Sequence, residues 1–187
     1  MDSHADTCVL GCNFVKVGNT GKKCSVSPFI STYEDFKEIE IVSGATMVQH
    51  PSTGESLILI IHQALWFGDN NSMEHTLLNP NQIRSFGHEV QDNPFADSPM
   101  GITVKDIFLP FTSQGTTIYF ESCKPTEQEL QTCRKLHLTS SHEWKPNEVQ
   151  FPHVNISSVH TQTGPEITCA ATATLRGISP TLDNDEY

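Results

Sequence analysis

The fold of this chain is predicted first from nine residues near its beginning, Asp2-Ser3-His4-Ala5-Asp6-Thr7-Cys8-Val9-Leu10. A carboxylate followed by a hydroxyl residue and, two positions later, a small residue is typical of a catalytic carboxylate held in a tight turn. The hydroxyl braces the turn, and the small residue lets the backbone approach a substrate. Two such carboxylates about 3 Å apart share one proton, so one acts as a base and the other as an acid. Because the pattern alone occurs by chance in roughly one chain of this length in ten, a second element has to support it.

The second element is the stretch Leu77-Leu78-Asn79-Pro80-Asn81-Gln82-Ile83-Arg84-Ser85-Phe86-Gly87. Asn79 is a good helix cap, Pro80 suits the first helical position, and Gly87 suits the end of a helix. The pattern predicts an aliphatic pair that leads into one short helix.

The residues between these two elements are predicted to be rich in β-strands. Strands are expected at Ile39–Val42, Thr46–Gln49 and Leu57–His62. The last two are joined by the polar loop 50–55, and such a loop with Pro and Gly predicts a β-hairpin.

These elements, in this order, resemble the retropepsin pattern Asp-Thr/Ser-Gly-Ala-Asp, followed shortly by Val-Leu and later by two aliphatic residues, a short helix and a Gly. The tract from Ala64-Leu65-Trp66 to Gln82-Ile83 further resembles the proteases of copia-type retrotransposon Pol polyproteins, and the resemblance covers about residues 2–92. It implies a mainly β fold, a retropepsin-like closed barrel (the acid-protease fold) with a short helix. It also implies an aspartic endopeptidase that hydrolyses peptide bonds in a retrotransposon polyprotein.

The resemblance also assigns roles to individual residues. Asp2 is the expected catalytic carboxylate and Ser3 carries the bracing hydroxyl, while the expected substrate-binding residues are His4, Ala5 and Asp6. The expected flap over the site is the hairpin loop, Pro51, Ser52, Thr53 and Gly54. The residues expected to support the site structurally are Leu77, Leu78, Asn79 and Arg84.

The sequence contains one such motif, so the second carboxylate is expected from a second copy of the chain. Asp97-Ser98 is the nearest internal candidate, but Pro99 makes it a poor mimic of the catalytic turn. The expected partners are therefore a second copy, in a homodimer, and a polyprotein substrate.

Departures from the retropepsin pattern bear on activity. His4 stands where the pattern has Gly. Pro80 replaces a frequent Arg that pairs with the second acid, Asp6, and Arg84, one turn later, is an alternative partner for it. The apolar strand that precedes the catalytic Asp in the family is absent before Met1, so activity is expected only where such a strand is present. The alternatives are an inactive remnant, a non-enzymatic dimerisation or interaction module with the protease fold, and a pro-region or tether for integrase.

Composition argues against several other classes. The 187 residues include 22 acidic and 11 basic side chains, for a formal net charge of −11, which argues against direct nucleic-acid binding because that requires clustered Lys and Arg. Since no apolar run approaches the ~20 residues of a membrane helix, no membrane association is expected. Six Cys without a secretory signal favour reduced thiols over disulfides and an intracellular, cytoplasmic location. No cofactor and no metal are expected, because the Cys and His spacings match no closed zinc site. His62 is interpreted as a hydrogen-bonded strand histidine.

Three regions are predicted: a retropepsin-like protease domain at 1–92, a hairpin and helix extension at 93–140, and a polar, flexible tail at 141–187. In the extension, a hairpin is expected between strands Ile102–Phe111 and Thr116–Phe120. The capping box Thr126–Glu129 predicts a helix that runs to about Lys135.

Overall fold

The structure is a computed structural model, and it describes residues 6–27, 36–68 and 73–150. Contacts divide the chain into two compact units, Met1–Val149 and Gln150–Tyr187, and all elements below belong to the first. From residue 151 onward, the predicted flexible tail lies outside the described residues. The prediction of a mainly β fold is confirmed. The described strands form three open sheets and no closed barrel, so the barrel stays a prediction.

The main sheet has five strands: β1 (Val9–Leu10), β2 (Val15–Val26), β3 (Phe36–Gln49), β4 (Ser56–Trp66) and β10 (Arg134–His137). The first four lie in the order β1-β4-β3-β2, and β3 is antiparallel to both β2 and β4. Both β1 and β10 pair in parallel with β4, β10 near its beginning and β1 at its end. The central strand therefore takes its pairing from two distant parts of the sequence.

The helices among the described residues are short. They are α1 (Pro80–Ser85), α2 (Glu127–Thr132) and a 3₁₀ turn (Pro146–Glu148). The helix predicted after Asn79 is confirmed, since the Asn79 side chain accepts hydrogen bonds from the first free backbone amides of α1. No helix among the described residues is long and apolar enough to cross a membrane.

The second helix begins as predicted but ends early. The capping box is formed, with Thr126 and Glu129 each accepting from the backbone amide of the other. The prediction that this helix reaches Lys135 is wrong, because Cys133 takes an extended conformation and Arg134 begins β10. Pairing with β4 ends the helix, and this long-range contact leaves no local signal in the sequence.

β4 is the central strand because nearly all of its residues are apolar, so it can be buried on both faces. Side chains alternate across Leu57–Ile61, where the three odd-numbered residues belong to the main core. Ile58 and Ile60 point to the other face, in a smaller cluster. Ala45 from β3 belongs to that cluster, and Leu130 from α2 packs against it.

The predicted hairpin between β3 and β4 is confirmed, with Gln49 paired to Ser56 at its closed end. Gly54 in the connecting turn has φ +70°, a left-handed conformation that Gly adopts without strain.

Two small antiparallel sheets follow α1. One contains β5 (Glu89–Gln91), β6 (Gly101–Val104) and β7 (Ile107–Pro110), and the other contains β8 (Thr112–Gln114) and β9 (Thr117–Tyr119). The predicted strand Ile102–Phe111 is therefore wrong, because the chain turns back at Lys105-Asp106, where Lys105 has φ 56°. This polar pair makes a tight turn inside a run that otherwise has the pattern of one strand.

One hydrophobic core runs through the first two predicted regions. Cys8 and Leu10 lie in the same buried cluster as Ile102, Leu109 and Leu138. The predicted boundary at residue 92 falls inside the first compact unit.

We expect Leu138→Ala to destabilise this whole unit by about 3 kcal/mol, because Leu138 is 0 % exposed in the shared core. Equilibrium urea unfolding followed by tryptophan fluorescence measures the change. The matched control is Val17→Ala, at a side chain 46 % exposed on β2, which should cost less than about 0.5 kcal/mol. A wild-type midpoint for Leu138→Ala would contradict the shared core.

Candidate functional site

The described part of the first motif is Asp6–Leu10. The predicted catalytic and substrate-binding residues Asp2, Ser3, His4 and Ala5 lie outside the described residues. Asp6 is exposed, and its backbone carbonyl accepts a hydrogen bond of 2.8 Å from Trp144 Nε1. The candidate site is thus defined by the strand that follows the motif and by the neighbours of that strand.

β1 lies between β4 and the aliphatic pair of the second element. On one side, the Leu65 amide donates to the Cys8 carbonyl at 2.9 Å. On the other side, Val9 and Leu77 exchange two backbone hydrogen bonds of 2.8 and 2.9 Å. Leu78, the next residue, is buried in the main core. The structure therefore brings the predicted support residues Leu77 and Leu78 directly against the strand that follows the motif.

The side chain of Gln82 links α1 to the start of β1 and to β4. Its Oε1 accepts from the Cys8 amide at 2.9 Å, a contact between residues 74 positions apart in the sequence. Its Nε2 donates to the backbone carbonyls of His62 at 3.3 Å and Gln63 at 3.1 Å. Gln82 is 2 % exposed, and it supplies a hydrogen-bond partner to the Cys8 amide and the Gln63 carbonyl, while the His62 carbonyl also accepts from Thr139 Oγ1. Sequence reasoning missed Gln82, because an amide in a short helix shows its role only once the strands around it are placed.

Cys8 and Asn79 are in contact in the interior, next to the hydrogen bonds of Gln82. The Asn79 amide donates to Cys8 Sγ at 3.2 Å, while the Asn79 side chain caps α1. Burial raises the pKa of the Cys8 thiol to about 12, against a smaller lowering by its hydrogen bond to the Asn79 backbone. The thiol is therefore neutral and unreactive at physiological pH, and its role is packing.

Arg84 supports the candidate site in a different way from the one expected. Its guanidinium donates to Asp92 Oδ1 at 2.8 Å and to the Val90 carbonyl at 2.9 Å. The alternative pairing of Arg84 with Asp6 is therefore wrong. Arg84 instead fastens α1 to β5, because Asp92 follows that strand directly and competes for the same guanidinium.

The turn Pro51–Gly54, the expected flap, lies at the far end of β4 from β1. Gln49 pairs with Ser56 beside this turn, whereas Val9 pairs with Leu65, nine residues further along β4. At about 3.3 Å per residue this separation is about 30 Å. The structure does not bring the turn next to the described part of the motif, and its role as a flap stays a prediction.

The opposite end of the sheet, next to β1, continues as an outer arm, made of residues 19–26 of β2 and 36–40 of β3. These segments pair with each other, with Val26 opposite Phe36, past the point where β3 pairs with the end of β4. Phe36 packs edge-on against Phe67, the residue after β4, with ring centroids 5.8 Å apart. The arm therefore extends past the end of β4 at which β1 also ends, because β1 runs parallel to β4.

A downstream segment, residues 139–144, also lies against the candidate site. Thr139 Oγ1 accepts from the His62 amide at 2.7 Å and donates to the His62 carbonyl at 2.8 Å. Further along, Glu143 forms an ion pair of 2.6 Å with Lys22 of the outer arm, and Trp144 bonds to the Asp6 carbonyl. These contacts are not predictable from sequence patterns, because they join residues from opposite halves of the chain.

Ser43, His62 and His137 form a hydrogen-bonded chain across three strands. Ser43 Oγ lies 2.8 Å from His62 Nδ1, and His62 Nε2 lies 2.8 Å from His137 Nδ1. The two imidazole planes differ by 13° with centroids 5.1 Å apart, which is the geometry of an in-line hydrogen bond between ring edges. Burial and, second, the charge of His137 lower the pKa of His62 below its ordinary value of 6.5. The interpretation of His62 as a hydrogen-bonded strand histidine is confirmed.

Within the described part of the chain, no group of three or more His, Cys, Asp or Glu side chains could hold a metal ion. A scan against protein-family models, a search of curated proteins and a search of solved structures each find no match. The functional assignment therefore depends on the residues and their contacts.

Gln82→Ala should destabilise the chain by about 3 kcal/mol, because it leaves the buried Cys8 amide and the carbonyls of His62 and Gln63 without this partner. Urea unfolding gives the size of the loss, and amide hydrogen exchange at Cys8 shows where it occurs. Gln131→Ala on the exposed face of α2 is the matched control and should stay within about 0.5 kcal/mol of wild type. Equal effects of the two substitutions would show that the hydrogen bonds of Gln82 do not stabilise the fold.

The His62 pair predicts a loss of stability in acid. Because the folded state lowers the pKa of His62, the unfolded chain binds the proton at higher pH, and the free energy of unfolding falls as pH drops below about 6.5. Urea unfolding at about pH 7.5 and about pH 5 measures the difference, which should shrink in His62→Gln and, less, in His137→Gln. The exposed His142→Gln is the control. An unchanged pH dependence in His62→Gln would contradict the prediction.

Proposed function

We propose that this chain is the retropepsin-type aspartic protease region of a copia-type retrotransposon Pol polyprotein. In this proposal Asp2 and its twin from a second copy share one proton across a homodimer and activate the water that attacks a polyprotein peptide bond. Ser3 braces the turn, and His4, Ala5 and Asp6 contact the substrate. The closed barrel belongs to the same proposal.

The contact between β1 and the Leu77 segment is the observation that carries the proposal. The resemblance was found in two separate elements, and these elements meet through the Val9–Leu77 hydrogen bonds and the bond from the Cys8 amide to Gln82. A chance match at two places in the sequence would carry no reason for the two places to be neighbours.

In this proposal the turn Pro51–Gly54 is the flap over the substrate cleft.

We propose a cytoplasmic location. The described cysteines Cys8, Cys12, Cys24, Cys123 and Cys133 are all free thiols, which supports a reducing compartment.

A non-enzymatic dimerisation or interaction module is the second candidate function. His4 favours it, because an imidazole stands where the retropepsin pattern has Gly, and a side chain there meets the backbone space that a substrate uses.

Asp2→Asn tests the catalytic proposal. The wild-type chain, extended upstream by the apolar strand that the family places before the catalytic Asp, should cleave a peptide library, fastest at mildly acidic pH where one carboxyl of the pair is protonated. Asp2→Asn should lower cleavage at least about 100-fold, since a neutral amide cannot act as the base. Mass spectrometry of the products measures both.

Asp97→Asn is the matched control, because Asp97-Ser98 is the other Asp-Ser pair of the sequence and is exposed. It should cleave like wild type. Equal cleavage by Asp2→Asn and wild type would overturn the proposal. A wild-type chain that is dimeric in analytical ultracentrifugation and cleaves nothing would favour the interaction module.

A further inference from the structure

A cavity of about 630 Å³ is lined in part by the segment that contains Leu77. One wall is the segment 74–78, and the other is the segment 117–122, which includes β9; we call the space between them the acidic groove. Asn13 and Phe14 lie at its base. The volume is in the range of protein sites that bind ligands, about 300–1,000 Å³.

The two walls of the acidic groove are fixed to each other through Asn13. Asn13 Nδ2 donates to Ser122 Oγ at 2.7 Å, and Asn13 Oδ1 accepts from Thr76 Oγ1 at 2.7 Å. Thr76 Oγ1 in turn accepts from the Gly11 amide at 2.9 Å. Since every member of this chain has a partner, the groove is held open by the fold, and a ligand does not have to order it on binding.

The lining of the acidic groove selects a cation. Glu74 stands on one wall and Glu121 on the other, and the described residues that line the groove include one His, His75, and no Lys or Arg. Tyr119 and Phe120 add aromatic rings to the wall that carries Glu121. Carboxylates bind guanidinium and ammonium groups by charge-assisted hydrogen bonds, and aromatic rings attract the same cations through their faces.

We propose that the acidic groove binds an extended peptide segment through a Lys or Arg side chain. An extended segment fits because one wall contains the strand β9 and the other the β-bridge residue Leu77, and its cation is placed between the carboxylates of Glu74 and Glu121. The site shares no residue with Asp2–Asp6, so the binding does not depend on the proposed peptidase activity.

Fluorescence anisotropy with labelled peptides tests the proposal on the full chain. The probes are three eight-residue Ala/Thr peptides that differ only in the central residue: Arg, Lys or Gln. The Arg and Lys peptides should bind and should bind more weakly as salt is raised, and the Gln peptide should bind at least about tenfold more weakly. Equal binding of all three, or none by the Arg peptide, would overturn the proposal.

Variants locate the binding. Glu74→Gln and Glu121→Gln should each raise the Kd of the Arg peptide roughly tenfold, the loss of one charge-assisted hydrogen bond. Glu55→Gln, at an exposed carboxylate in the turn between β3 and β4, is the matched control and should leave the Kd unchanged. Thr117→Lys, which places a competing cation at the groove, should also weaken binding. A control that weakens binding as much as Glu74→Gln would show nonspecific attraction to an acidic protein and overturn the site.

Two further measurements distinguish this proposal from a small-cation site and from the proposed peptidase activity. Free arginine amide should bind at least about tenfold more weakly than the Arg peptide, and equal affinity would mean a small-cation site and not a peptide site. Asp2→Asn should bind the Arg peptide as wild type does. Failure of the peptidase proposal therefore leaves this result unchanged, and failure of peptide binding leaves the cleavage assay unchanged.

Discussion

The structure depends on how the backbone groups of β4 are hydrogen-bonded along one edge, where two separate strands pair with it in parallel. β10 pairs with Leu57–Ile60 and β1 with Leu65–Trp66, and an extra residue of β4 bulges between them, where Gln63 has φ 54°. Backbone groups in this gap have no strand partner, and leaving them unpaired in the interior costs about 1–3 kcal/mol each. The side chains of Thr139 and Gln82 fill the gap. Two side chains thus complete a ladder that the backbone alone leaves open.

This gap explains why the folded unit extends well past residue 92. The edge of β4 needs β1 from the start of the chain, α1 from the middle, and β10 with Thr139 from the later part. Leu138, between β10 and Thr139, is fully buried in the main core. The downstream tract is therefore part of the unit that positions the first motif. Trp144 also belongs to this tract, and its side chain donates a hydrogen bond to the Asp6 carbonyl.

Features with a local cause were predictable from the sequence. The cap at Asn79, the capping box at Thr126 and the turn containing Gly54 each depend on residues within a few positions, and each is present. Features with a distant cause were not predictable. β10 is the tetrapeptide Arg134–His137, in which only Leu136 is apolar, and it becomes a strand because β4 offers an edge. The distance between the turn Pro51–Gly54 and β1 depends on the lengths of β3 and β4, which hydrophobic patterning underestimates. Asp2 and Ser3 lie outside the described residues, so their roles depend on the sequence pattern.

The segment 74–82 joins the candidate site to the acidic groove. Its first residues form one wall of the groove, Leu77 pairs with β1, and Gln82 closes the gap in β4. A ligand bound to Glu74 therefore contacts a segment that is tied to the strand after the motif. The tie is the pair of backbone hydrogen bonds at Leu77, three residues after Glu74. Asn13, three residues after β1, hydrogen-bonds to both walls, so side-chain as well as backbone hydrogen bonds join the groove to β1. The proposed peptide site and the candidate site therefore share one supporting segment.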